Sequence, residues 1–171
     1  IMINYHDQKF RMSQPLDEVQ TEELNVLEFL LDEIEGDDLI FETHSYRELF
    51  SEVSKEYDEK LKFDQNFFIH HENETIRSLF VDLMTFPYSL DNWARMEIFV
   101  TSEDQKLRRA VIESLFAYKS KRVERMIRDN QAAMKDSTTL GSDPTPFLEK
   151  QMKLESIKRE INKTLGRTVL H

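Results

Sequence analysis

Four groups of side chains in this chain of 171 residues can do chemistry. The first is His70-His71-Glu72 with Glu74, a mix of imidazole and carboxylate donors of the kind that ligates metal ions. Neighbouring residues point to different sides of any regular element. No second cluster completes a ligand set, so these residues read as surface or helix-end groups. The second group is Glu35, Asp37 and Asp38, carboxylates suited to acid/base work or to Mg²⁺. They flank Gly36 at an expected helix end, where acids in a turn are ordinary. The third is Trp93 with Phe63, Phe67 and Phe68, a candidate platform for stacking bases. Its surroundings are acidic and repel phosphate, so core packing is the better reading. The fourth is Lys119, Lys121, Arg122, Arg125 and Arg128, all on one expected helix. These bases read either as a solvated helix face or as a contact for an acidic protein surface; nucleic acid fits less well, because few aromatics interleave with them and the whole chain carries a net charge of −10.

Other chemistries lack their residues. No G-x-x-x-x-G-K-[ST] or G-x-G-x-x-G string occurs, and only 3 glycines are present, so backbone cradles for phosphate are not expected. No residue carries the signature of a strained catalytic serine. There is no Cys, which removes disulfides and thiolate metal sites and fits a reducing, cytoplasmic setting. The expectation is therefore a non-catalytic piece with no catalytic residue, metal or cofactor of its own. No apolar run is long enough to span a membrane, and no signal peptide is visible. The opening Ile1-Met2-Ile3 reads as a fragment of a longer chain.

The elements that must position these groups are helical. Charged residues make up 33% of the chain, and with 4 Pro and 3 Gly there is little turn chemistry for many short strands. Residues 1–16 read as an extended lead-in ended by Pro15. A helix is expected from Thr21-Glu22-Glu23, with Leu24, Leu27, Leu31 and Ile34 inward and Gly36 as its left-handed cap. A second is expected from Ser45, with Glu48 at capping-box spacing and Tyr46, Leu49, Phe50 and Val53 inward. A third covers Asn73 to Thr85, Phe86-Pro87-Tyr88 breaks it, and Ser89 to Ile98 forms a short helix carrying Trp93. Ser102 and Gln105 then open a long helix without Pro or Gly to about Lys135; its apolar stripe changes phase near Tyr118. Asp136 to Pro146 is an expected loop. A last helix has Thr145 as N-cap, Pro146 at its first position, Leu154, Ile157, Ile161 and Leu165 inward, and Gly166 as C-cap. The fold class is all-α: a helical bundle lobe over 17–101, then a long helix and a C-terminal antiparallel helical hairpin over 102–171. Charge divides the same way. Residues 17–104 carry 24 Asp/Glu and 6 Lys/Arg, whereas 105–171 carry 8 and 15.

Several strings in this order resemble the C-terminal domain of bacterial DnaG-type primases. They are Leu27-Glu28-Phe29-Leu30-Leu31, Tyr46-Arg47-Glu48-Leu49-Phe50, Phe67-Phe68-Ile69-His70-His71, Ser89-Leu90-Asp91-Asn92-Trp93, Tyr118-Lys119-Ser120-Lys121-Arg122-Val123 with Asn130-Gln131, and Leu165-Gly166-Arg167-Thr168-Val169-Leu170. The resemblance implies a bundle lobe and a hairpin that dock on the N-terminal domains of a hexameric DnaB-type helicase. It also implies that primer synthesis resides in upstream domains absent here. Docking would recruit primase to the fork and modulate the helicase. Helical geometry, not a family motif, selects Met152, Glu155, Lys158, Arg159, Asn162 and Lys163 as the outward, partner-binding residues of the last helix. No membrane and little direct nucleic-acid binding are expected. The rival readings are a replicative helicase N-terminal domain, which would self-assemble into a ring, and a nucleic-acid-binding helical module.

Overall fold

The computed structural model describes residues 1–14, 17–85, 103–139 and 143–169. Six helices lie in these residues, with one small two-stranded sheet, and the chain is all-α in character. It divides into two compact units, Ile1–Val111 and Ile112–His171. The division falls within the long helix rather than ahead of residue 102. The first turns of that helix, with Leu107, Ala110 and Val111 buried, group with the first unit.

The start of the chain departs from the expected lead-in. Residues 2–7 form turns that bury Ile3, and His6 Nδ1 lies 2.9 Å from the Ile3 carbonyl oxygen. Strand β1 (Lys9–Gln14) pairs antiparallel with β2 (Asp17–Asn25), with Phe10 opposite Leu24 and Arg11 opposite Glu23. This hairpin is not among the elements that the primase resemblance implies. It also moves the first helix: Thr21-Glu22-Glu23 lies in β2. Backbone pairing and the fully buried Phe10, edge-on to Phe29 at 5.3 Å, override the helix-forming character of these residues.

Helix α1 (Val26–Gly36) starts instead at Asn25, whose side-chain oxygen accepts from the Leu27 and Glu28 amides at 2.9 and 3.2 Å. Gly36 is the last helical residue and not the left-handed cap. That role falls to Asp38 (φ 50°), where the Asp38 amide donates to Glu35 O and the Leu39 amide to Ile34 O. A short acidic side chain tolerates this conformation better than most.

Helix α2 (His44–Lys60) begins one residue before Ser45, with Thr43 as N-cap and no side-chain cap bond, so the Ser45–Glu48 capping box does not form. Arg47 lies in the first turn of this helix. Its guanidinium donates to Phe41 O and Glu42 O at 3.0 and 3.3 Å and ties the preceding loop to the helix start. Glu48 faces His44 Nε2 at 3.2 Å. Helix α3 (Gln65–Ile69) and helix α4 (Glu74–Thr85) follow; Asn73 Oδ1 caps α4 by accepting from Thr75 and Ile76. The core of the first unit joins Ile3, Leu27, Leu31, Leu49, Val53, Phe63, Phe68, Ile76 and Phe80. Phe68 stacks on Phe63 and Phe80 with centroids 5.2 and 5.0 Å away. The aromatic string is core, as expected, while Tyr46 is exposed rather than inward.

Helix α5 (Glu103–Thr139) runs four residues beyond Lys135, into the expected loop. Its buried positions change phase as read from the sequence: Leu107, Val111 and Leu115 first, then Val123 and Ile127. Helix α6 (Thr145–Val169) passes through Gly166, so that glycine is not a C-cap. A Cβ there would meet nothing within 4 Å. The expected break at Phe86-Pro87-Tyr88, the Ser89–Ile98 helix with Trp93, the Ser102 cap, and Gly141, Leu170 and His171 lie outside the described residues.

Candidate protein interface

The second unit is a helical hairpin built from the later part of α5 and all of α6. Its antiparallel sense follows from three contacts. Asn130 Nδ2 donates to Phe147 O at 2.9 Å and to Gln151 Oε1 at 3.1 Å, while Glu124 Oε1 meets Lys158 Nζ at 3.3 Å. Moving down one helix therefore means moving up the other. Along the same seam Val123, Ile127, Leu154 and Ile161 form a core, flanked by Phe116 and Leu165.

The return helix is started by Asp143, whose Oδ1 accepts from the Thr145 amide at 2.9 Å. The Thr145 hydroxyl and then its amide hold the Asp143 carboxyl below the usual carboxylate range. Pro146 sits in the first turn, where its missing N–H leaves no intrahelical bond unmade. Asn130 is a buried polar residue at the heart of the hairpin. It is 3% exposed, and its Oδ1 has no hydrogen-bond partner among the described residues. A buried amide of this kind fixes which turn of one helix faces which turn of the other, at some cost in stability.

With this core closed, α6 presents an outer surface. Met152 is 72% exposed, and Arg159, Asn162 and Lys163 are exposed beside it. Leu148, one turn before Met152, is half-exposed; it precedes the regular apolar steps, so the sequence pattern does not single it out. Glu155 is part-buried and accepts from Gln151 Nε2 at 3.2 Å. Lys158 is part-buried too, and its ammonium is engaged by Glu124 across the hairpin. So four of the six residues expected to face outward lie open, and two are tied into the hairpin's own contacts. Ile157 is the converse case. The helical pattern puts it inward, yet it is 48% exposed, because the interhelical seam passes through Leu154, Lys158 and Ile161 instead.

The other groups with chemical potential act locally. His70 Nδ1 lies 3.0 Å from Asn66 O at the end of α3. His71 Nδ1 accepts from the Asn73 amide at 3.1 Å, which leaves Nε2 facing Glu52 at 3.7 Å. Glu35 accepts from the Ser54 hydroxyl. Buried Glu56 pairs with Lys60 at 2.5 Å, and this bond raises the Lys60 pKa. Among the described residues no group of three or more His, Asp or Glu is placed to hold a metal ion, and no helix is long and apolar enough to cross a membrane. Two pockets not foreseen from sequence open on the first unit, on either side of the Phe41–Phe50 pair. One, of about 300 Å³, lies over Leu49 and Val53; the other, of about 550 Å³, lies between Glu35 and Asp58.

The fold and this surface define a helical protein of two units, the second a closed hairpin with an exposed outer helix. Residues 1–169 match the model of a family described as Domain of unknown function (DUF8430), and the chain belongs to that family. No curated protein and no solved structure matches the chain.

Proposed function

We propose that the chain is a non-catalytic docking domain, with the α5–α6 hairpin as its contact element and a DnaB-type replicative helicase as its partner. In this reading it serves as the C-terminal region of a DnaG-type primase in the cytoplasm. One observation carries the docking role. The hairpin completes its own core, yet Leu148 and Met152 remain exposed one turn apart on α6, beside Arg159 and Lys163. Two large apolar side chains framed by charge on a rigid helix are the usual make-up of a compact contact site. The helicase as partner rests on the strings that resemble the primase domain. Recruitment is the mechanism: docking raises the local concentration of the attached polymerase at the unwound strand, with an interface modest enough to release.

The test is co-elution of this chain with a purified DnaB-type hexamer in gel filtration with light scattering. A complex is expected. Met152→Asp and Lys163→Glu, both on the exposed face, are expected to weaken it by about tenfold or more each. No complex with the hexamer, or a complex indifferent to both substitutions, overturns the proposal.

A further inference from the structure

The outer face of α5 carries a second feature, which the docking role of α6 does not use. Lys121, Arg128 and Lys135 recur at steps of seven and are all exposed, with Arg125 exposed among them. At 100° per residue they fall on one side of the helix, turned away from the side that carries Val123, Ile127 and Asn130 to α6. The stripe spans about 21 Å at 1.5 Å per residue. Arg125 is itself engaged in a further interaction, so Lys121, Arg128 and Lys135 define the stripe.

Lys121, Arg128 and Lys135 stand two turns apart from one another, so each can meet a separate acid of a partner. Glu124, an acid within one turn of both Lys121 and Arg128, is drawn instead to Lys158 on α6 at 3.3 Å. Asp129 and Asp136 border the stripe on one side only, and the uncharged Ala117, Gln131 and Ala132 occupy other exposed positions along it. The charge is also local. Residues 112–171 carry 12 Lys/Arg and 8 Asp/Glu in a chain whose net charge is −10.

We infer that this stripe is a docking surface for an acidic protein segment, an amphipathic helix with carboxylates at matching helical spacing. Such a partner sets carboxylates against Lys121, Arg128 and Lys135 at the same two-turn spacing. A protein partner fits better than a nucleic acid. The stripe offers no aromatic side chain for stacking, and the remaining residues of the same chain, 1–111, carry 25 Asp/Glu against 11 Lys/Arg. This surface is separate from the exposed face of α6, so it stands or falls independently of the helicase reading.

The probe is a synthetic amphipathic helical peptide of Glu and Leu, followed by fluorescence anisotropy with the full chain; oligo-dT of about 20 nucleotides serves as the competing polyanion. Peptide binding at low salt is expected, weakening as salt rises. The double variant Lys121→Glu/Arg128→Glu is expected to weaken it about tenfold, the effect of two lost charge contacts. Lys150→Glu/Lys153→Glu, which changes two exposed lysines of α6 outside the stripe, is expected to change it less than about twofold. Circular dichroism of the first variant should show helicity equal to the parent, since both positions are exposed. Absence of peptide binding, equal loss in both double variants, or tighter and more salt-steep binding of oligo-dT than of the peptide would each overturn the proposal.

Discussion

Replacing Asn130 by Asp tests the hairpin at a buried polar contact. The substitution keeps the shape and exchanges the Nδ2 donor for an oxygen. Two hydrogen bonds, to Phe147 O and Gln151 Oε1, lose their donor. At about 1 kcal/mol each, that is roughly 2 kcal/mol. The new carboxylate would sit at a position only 3% exposed, with Lys158 two turns from Gln151 and already paired with Glu124. A buried charge without a partner brings the expected total to about 3–5 kcal/mol near neutral pH. That corresponds to a rise of at least about 100-fold in the population of the opened hairpin. The sign with pH follows from burial. Desolvation raises the folded-state pKa of the introduced carboxyl above its unfolded value of about 3.9. The folded state then binds more protons than the unfolded state, so stability falls as pH rises between the two values. The deficit should be small near pH 4 and complete above the raised pKa. Hydrogen exchange resolved by segment is the assay. Amides of α6 should lose protection by about 100-fold at neutral pH and recover much of it in acid, while those of α1 to α4 stay as in the parent. Unchanged protection in α6, or a deficit equal at both pH values, would refute the role given to Asn130. The companion Asn130→Leu also loses both bonds but introduces no charge, so its deficit should be about 2 kcal/mol and the same at both pH values.

Two further outcomes are expected. Phe80→Ala removes a side chain with no exposed surface that stacks on Phe68, so urea unfolding of the first unit should show a loss of about 3–5 kcal/mol. The lowered pKa of Asp143 means that its cap contributes above the unfolded carboxylate pKa and is lost as pH falls through the folded value. Acid titration followed by NMR should therefore loosen the first turn of α6, and Asp143→Asn, which keeps the accepting oxygen, should abolish that pH dependence; persistence of the transition in the Asn variant would contradict the assignment.

Most helices can be read from the residues because their signals are local. The steps Leu154, Ile161 and Leu165, the absence of Pro and Gly from Glu103 to Thr139, and the phase change near Tyr118 depend only on helical period and backbone preference. The two-helix return and its core follow from these, and Val123, Ile127, Leu154 and Ile161 do meet. The N-terminal hairpin is the main element not legible in advance. Lys9 to Met12 alternate too briefly to stand out, and Glu22, Glu23 and Leu24 favour a helix when taken alone. Asn25 is the signal that was available, a strong N-cap residue directly ahead of Val26 and Leu27.

The residues by themselves determined that the chain is helical and that its charge is divided between an acidic and a basic part, because helical period and composition need no partner to be expressed. Only the tertiary structure decided which residues face outward. Ile157 is left exposed while Lys158 turns toward Glu124, and Asp38 rather than Gly36 takes the left-handed turn. The first outcome depends on how α6 is rotated against α5, which is set by the sum of packing contacts across the seam rather than by any single segment; the second depends on where the chain turns out of α1, two residues later than the glycine.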